Sequence, residues 1–513
     1  MGNDKANEHN DEDRQKRPSL RANAASNYAT LAVNMLVVFL LTPFVIRHLD
    51  LVGYGIWVLV QSLVGYCGLL DLGVSSAVTR YVARYAGQGD YHSLNRSIGA
   101  ALGLFSGMAL VVAAAALALA GVLAGFFNIE PANIADFKHV VWILGMGTAL
   151  AFPGRVFGAT LTAHERFVPA NCANIAVILL RAGLTVLLLK ADMALMGVAW
   201  ANLAGAGGGL VAKYILCRRY VPYMRIQLGS VHWKALRSLL TFGAAATVVR
   251  VADLLRFQLD SFVIGKWVGL AELAVYAIAA RIIFNWIFPL IISGTRVLDP
   301  RFAALDSIGQ RQKLRELFMR SLAASSTMAF GISMLAFLFG GSFIVRWVGS
   351  EFAGAAPVLW ILLAACVCDL AQNPGIGLMR ALNKHHLYAL VTIIEGVANV
   401  VLSIALAYRY GIVGVALGTA IPMAVVKLVV QPIYVSRLVG IPLATYLRPF
   451  LLPGLVAAVT VTIGWQIGLV TDVTTVSYPL LAAKALAGGL IFLGIIWVLA
   501  PRRVAMLLGR GRS

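Results

Sequence analysis

Apolar runs of about twenty residues alternate with short polar connections along this chain, from near residue 27 to near residue 499. A helix needs roughly 20 residues to cross a hydrocarbon core of about 30 Å. The pattern predicts fourteen helical spans, at residues 27–46, 54–76, 97–120, 138–159, 171–189, 196–216, 239–265, 273–295, 318–340, 355–378, 387–407, 412–434, 449–469 and 479–499. Charges interrupt the seventh run, and the connections are too short to hold a soluble domain. The expected fold class is therefore an all-α polytopic membrane protein.

Composition points the same way. Of 513 residues 60% are hydrophobic and 12% charged, and the mean hydropathy is +0.83. No soluble chain of this size buries that much apolar surface, so a soluble enzyme is excluded.

The 42 Lys and Arg exceed the 22 Asp and Glu by 20 charges, and the excess follows a side. Alternate connections collect Arg80, Arg84 and Arg96, then Arg218, Arg219 and Arg225, then Arg301, Arg311, Lys313, Arg315 and Arg320, then Arg380, Lys384, Arg437 and Arg448. The opposite side receives only Arg47, Lys138, Lys190, Lys266, Arg346 and Arg409. Basic residues favour the cytoplasmic side, which places both termini there and accounts for the high pI without a nucleic-acid partner. Residues 1–26 are polar and read as a disordered cytoplasmic tail; the apolar run after them is too long for a cleaved signal. The five cysteines, Cys67, Cys172, Cys217, Cys366 and Cys368, fall in or beside spans and indicate neither a disulfide scaffold nor a metal site.

An internal repeat organises the spans. FVIRHLDLVGYGIW from Phe44 and FVIGKWVGLAELAVYAI from Phe262 pair at an offset of about 220 residues, with Tyr54 opposite Tyr276. The same offset sets the basic segment 80–96 against 301–320. Both segments are amphipathic and suit anionic-lipid contact. The expected organisation is an N-lobe at 27–216, a cytoplasmic linker at 217–238, a parallel six-helix C-lobe at 239–434, and two further helices with a basic tail at 435–513.

Charges inside spans are costly, normally facing protein or a wet cavity. The seventh span carries Arg250, Asp253, Arg256 and Asp260 at spacings that put them on one helical face. Arg181 and Arg281 have no acid three or four positions away on their own helices. Asn174 shares a face with Arg181, as Asn399 does with Glu395; Asp369, Gln372 and Asn373 cluster before Pro374. Each stripe suits a hydrated lumen or helix-to-helix hydrogen bonding. Pro43, Pro153, Pro289, Pro374 and Pro422 are candidate kinks.

LLTPFVIRHLDLVGYGIW from Leu40, LDLGVSSAVTRYVARYAGQGD from Leu70, and YAIAAR from Tyr276 with Pro300 and Arg301 after it resemble bacterial polysaccharide-biosynthesis flippases of the Wzx type. The resemblance implies the multidrug, oligosaccharidyl-lipid and polysaccharide exporter superfamily, with two six-helix lobes around a V-shaped cavity. It implies as substrate an oligosaccharide linked through diphosphate to undecaprenol, moved from the cytoplasmic to the periplasmic leaflet of the inner membrane by alternating access for O-antigen, capsule or exopolysaccharide. Expected partners are that lipid-linked oligosaccharide, membrane lipids and other polysaccharide-assembly proteins.

From their membrane position, Arg181, Arg250, Arg256 and Arg281 are the candidate headgroup contacts. Asp253, Asp260, Asp369 and Glu395 are candidates to carry a coupling H+ or Na+, and no other cofactor is expected. A drug exporter of the same superfamily shares this architecture. A polyprenyl-glycan enzyme normally brings a catalytic extracytoplasmic loop, and the longest connections here, 126–137 and 341–354, offer no His and Asp constellation.

Overall fold

The computed structural model describes residues 20–226, 251, 254, 258–384, 386–466 and 478–499, and every regular element among them is helical. Eleven apolar segments are long enough to cross a membrane, and a twelfth, Ala355–Ala371 with Asn373–Ala381, is bent by 42°. One of the eleven, Leu387–Val439, breaks at Gly411, whose φ of 54° and ψ of −135° lie where only glycine is comfortable. Counting that segment as two spans raises twelve to thirteen. Most of the remaining expected span, the seventh at 239–265, lies outside the described residues, though its end is helical.

The chain forms two compact units, residues 1–251 and 252–513. In the first, α1 (Leu20–His48) leads to α2 (Leu51–Tyr66), which tightens into a 3-10 turn at Cys67–Asp71. A short α3 (Val74–Gln88) precedes four long helices: α4 (Tyr91–Phe126), α5 (Ile134–Ala163), α6 (Phe167–Lys190) and α7 (Ala194–Tyr220). Asp50 caps α2 by accepting from the Gly53 N–H at 2.7 Å, and Asp90 caps α4 through Ser93 at 2.9 Å.

α3 carries the first part of the basic amphipathic segment expected at 80–96, and Arg96 lies on α4. Val74, Ala77, Val78 and Val82 are buried against Leu94, Ile98, Phe152 and Val156, while Arg80 and Arg84 are exposed. α4 and α5 approach so closely that a Cβ on Gly145 would fall 2.3 Å from Ala116 Cβ.

The second unit repeats the order. α8 (Leu259–Trp267) leads to α9 (Leu270–Arg281), which widens into a π turn at Ile282–Ile287 and continues as α10 (Phe288–Arg296) from Pro289. The short α11 (Asp299–Ser307) precedes α12 (Arg311–Val348), then α13 (Ala355–Ala371) and α14 (Asn373–Ala381), which meet at the Pro374 bend. α15 (His386–Val425) contains the Gly411 break. A Cβ on Gly414 would sit 2.2 Å from Leu406 O, and one on Gly418 2.4 Å from Ser403 N, so the two arms run antiparallel, in contact through a Gly-xxx-Gly face. A π turn at Val426–Val430 leads to α16 (Gln431–Val439).

The last two helices, α17 (Leu443–Gln466) and α18 (Tyr478–Leu499), pack on α12 of the same unit. Val456, Ala457, Leu481, Phe492 and Ile496 bury against Met334, Leu338 and Phe339 there.

Candidate functional site

A cavity of about 390 Å³ opens in the first unit among α2, α5, α6 and α7. Its polar lining is Gln61, Thr148, Arg155, Asn174, Arg181, Asn202 and Lys213. Asn174 and Arg181 lie two turns apart on α6, so the stripe read from the sequence does face one space. Small residues make room for it: the Arg181 stem lies over Gly205, where a Cβ would be 3.4 Å away, and Gly147, Gly154 and Gly209 are also part of the lining.

Three cations share this wall with no carboxylate among its residues. Arg155 is tethered from behind, its guanidinium 3.0 Å from the buried Asp71 carboxylate and 4.7 Å from the centre of the Phe152 ring. Asp71 also accepts from Ser75, through its N–H at 3.1 Å and its hydroxyl at 2.9 Å. Arg181 makes one long contact, from its terminal nitrogen to Asn202 Oδ1 at 3.5 Å. Among the described residues neither Arg181 nor Lys213 forms an ion pair. Such a wall can hold an anion through charge-assisted bonds.

The second unit gathers its buried polar groups into closed clusters. Asp260 on α8 accepts from the Tyr276 hydroxyl of α9, and Thr419 Oγ1 of α15 stands 2.9 and 3.0 Å from its two oxygens. Asn399 Oδ1 accepts from Ser403 at 2.8 Å and lies 3.1 Å from Thr419 Oγ1. Asp260, Asn399 and Glu395 are all buried.

A second cluster is built on Lys427, in the π turn after α15 and 0% exposed. Its ammonium meets Asp369 at 2.7 Å, Gln431 Oε1 at 2.8 Å and the Tyr388 hydroxyl. Gln372, at the α13–α14 bend, donates to Lys427 O at 2.6 Å and accepts from the Tyr446 hydroxyl at 2.8 Å. Two irregular backbone segments are therefore pinned together by side chains that satisfy one another.

Of the candidate headgroup arginines, Arg181 lines the first-unit cavity, Arg281 closes α9 in the second unit, and Arg250 and Arg256 lie outside the described residues. Of the candidate carboxylates, Asp260 and Asp369 sit in the two clusters, Glu395 is buried on α15, and Asp253 lies outside the described residues. The stripe at Asp369, Gln372 and Asn373 bonds to neighbouring segments of the second unit. Asp369 and Gln372 are buried in the Lys427 cluster, and Asn373 accepts from Thr295 at 2.6 Å. Sequence reasoning missed Lys213 and Lys427, whose shared signal is a lone lysine after Val-Ala or Val-Val inside an apolar run.

The repeat extends to these sites. Gly197-Val198-Ala199 and Gly414-Val415-Ala416 each follow the turn between the fifth and sixth spans of a unit, and both glycines press on the preceding arm. Lys213 and Lys427 fall in matching stretches downstream. In each unit an acid at or just past the end of the second span bonds an arginine near the end of the fourth, Asp71 with Arg155 at 3.0 Å and Asp299 with Arg380 at 2.9 Å. Two residues before each Phe-Val-Ile triplet, however, the first unit has Thr42 where the second has Asp260.

These features define a duplicated helical membrane protein of the transporter class. Its fold matches that of a solved structure described as lipid II flippase MurJ, inward closed conformation, with a TM-score of 0.69, 12% identity, and coverage of 93% of this chain and 98% of that one. The family model described as polysaccharide biosynthesis protein matches residues 101–357, about half of the chain, and the chain belongs to that family. Among curated relatives, the Bacillus subtilis "Uncharacterized membrane protein EpsK" is 26% identical over 445 residues, covering 83% of this chain and 85% of its own length. The Shigella flexneri "Putative O-antigen transporter" is 22% identical over 423 residues, covering 81% and 98%.

Proposed function

We propose that this protein flips an oligosaccharide linked through diphosphate to undecaprenol, from the cytoplasmic to the periplasmic leaflet of a bacterial inner membrane, during assembly of O-antigen, capsule or exopolysaccharide. The family, the relative described as an O-antigen transporter and the flippase fold of MurJ support the reading, and none of these points to an enzyme. The single observation that carries it is the first-unit cavity, where Arg181 and Lys213 line a concave surface within membrane spans with no carboxylate paired to them among the described residues.

Cations held at that depth call for an anionic counterpart. A diphosphate supplies two adjacent groups of acceptor oxygens. Arg155 and Arg181 offer planar donor forks to it and Lys213 a point charge, while Asn174, Asn202 and Gln61 present amide groups suited to sugar hydroxyls. Both termini are cytoplasmic in this reading, membrane lipid solvates the polyprenyl tail, and alternating access carries the headgroup across.

Asp260 is the group we assign to a coupling H+ or Na+. Thr419 Oγ1 lies within hydrogen-bond distance of oxygens of both Asp260 and Asn399, in a buried cage on two helices of one unit. Asp369, held by Lys427, keeps the bent helices in place instead.

The test is complementation of a flippase-null strain of the protein's own host, scoring surface polysaccharide and the cytoplasmic lipid-linked unit at matched expression. Wild type restores the polymer and Arg181→Gln does not, while Arg409→Gln, an exposed change on α15, does. Restoration by Arg181→Gln rejects the site; failure of wild type rejects the function. For coupling, Asp260→Asn is compared with wild type across pH and Na+ concentration, and unchanged dependence on both removes Asp260 from the role.

A further inference from the structure

The second unit carries another concave basic surface, at the end where α11 stops, α12 begins and α14 and α16 finish. This cavity of about 360 Å³ is lined by Arg311, Arg315, Lys384 and Arg437, with Asp306 as the single acid. Leu314, Leu382 and Leu438 contribute an apolar part of the wall. Among the described residues none of the four cations is in an ion pair.

The backbone prepares the site. Arg315 Nε donates to Val439 O at 2.7 Å, which fixes the guanidinium against the end of α16. Gly440, at φ +70°, closes that helix, and a Cβ there would fall 2.6 Å from an Arg315 terminal nitrogen. The loop presenting Lys384 is held in turn, because the Tyr434 hydroxyl donates to Lys384 O at 2.8 Å. A preference for basic residues at one membrane face requires neither a shared hollow nor an arginine clamped by a carbonyl. Four like charges converging from three chain segments repel one another until an anion joins them. The volume lies near the lower end of ligand cavities, about 300–1,000 Å³, and accommodates a compact phosphate headgroup.

We infer that this cavity binds a phosphate-bearing group, a phosphomonoester or a diphosphate, presented either by an anionic lipid or by a soluble molecule. It shares no residue with the first-unit cavity and stands independently of the translocation reading.

The test uses full-length protein in two sets of nanodiscs, one of phosphatidylcholine alone and one containing phosphatidylglycerol, titrated with inorganic pyrophosphate by calorimetry. Native mass spectrometry of detergent-purified protein reads retained phosphatidylglycerol in parallel. A lipid ligand shows as retained phosphatidylglycerol that Arg437→Gln removes, with pyrophosphate binding suppressed in the phosphatidylglycerol discs. A soluble ligand shows as saturable pyrophosphate binding, equal in both discs, that Arg437→Gln and Arg315→Gln each weaken about tenfold, as loss of one charge-assisted bond predicts. Should Arg315→Gln fail to fold, judged by its melting curve, the exposed Arg311→Gln and Lys384→Gln take its place. Binding that survives Arg437→Gln with Arg311→Gln, or that is lost instead with Arg181→Gln, overturns the assignment.

Discussion

Lys213 in the first unit looks into a cavity with no carboxylate on its wall, whereas Lys427, in the matching stretch of the second, is enclosed with Asp369 at 2.7 Å, Gln431 and Tyr388 around it. The same scaffold thus carries a cation within a span in two ways, buried at Lys427 and half-buried at Lys213. In one unit the protein supplies the counter-charge and closes the space; in the other it leaves the space open and the charge unmatched. Burial of an ion costs several kcal/mol unless it is paired, so the closed arrangement is stable by itself and the open one is suited to an arriving anion. The contrast between Thr42 and Asp260 follows the same division, with the acid kept in the closed unit.

Lys427→Ala breaks the comparison most severely. It leaves Asp369 buried without its partner and destabilises the protein by about 3–5 kcal/mol, read as a lower melting temperature in detergent. Lys427→Met combined with Asp369→Leu recovers most of that loss, while Lys213→Ala changes stability by no more than about 0.5 kcal/mol. Equal melting shifts for the two lysine-to-alanine changes would show that the units do not differ as described.

Gly418→Ala comes next. The new Cβ falls 2.4 Å from the Ser403 amide nitrogen, on backbone that has no flexible end to yield, and the overpacking costs about 1–3 kcal/mol by thermal denaturation. Gly183→Ala, which meets nothing within 4 Å, is the neutral counterpart in the first unit. Thr419→Val removes a hydroxyl donor from the Asp260 cage and costs about 1–2 kcal/mol in the same measurement.

The smallest effect belongs to the cap of α4. The Ser93 hydrogen bonds hold the Asp90 carboxyl below its ordinary pKa. A depressed folded pKa means the contribution is present above the ordinary carboxylate value and fades as pH falls through the folded one. Asp90→Ala therefore lowers helix stability slightly at neutral pH and not in acid, seen as faster amide exchange in the first turn of α4 at neutral pH.

The spans were legible because an apolar run of fixed length has one physical use. The pairing of Asn174 with Arg181 was legible too, since residues seven apart must share a helical face. What stayed hidden was contact between helices. Periodicity places Asp369 and Gln372 on a helix, but nothing local announces that Lys427, more than fifty residues on, completes their cluster. Lys213 was lost for a related reason: near the end of an apolar run a lysine reads as an ordinary charge at the membrane surface, and only the packing of α5 and α6 around it makes a cavity. The break at Gly411 was expected as a connection between spans, whereas the close approach of Gly414 and Gly418 to the opposite arm depends on a partner the local pattern does not name.

The central claim is that the unmatched cations of the first unit engage the anionic headgroup during translocation. The most direct measurement follows a fluorescent polyprenyl-diphosphate oligosaccharide across proteoliposome leaflets, with wild type beside Arg181→Gln, Lys213→Gln, the double variant and Arg409→Gln. The account predicts that each cavity variant slows translocation about tenfold or more while its melting temperature holds. It predicts as well that the double variant abolishes translocation and that Arg409→Gln matches wild type. A folded double variant that flips the substrate at the wild-type rate would contradict it.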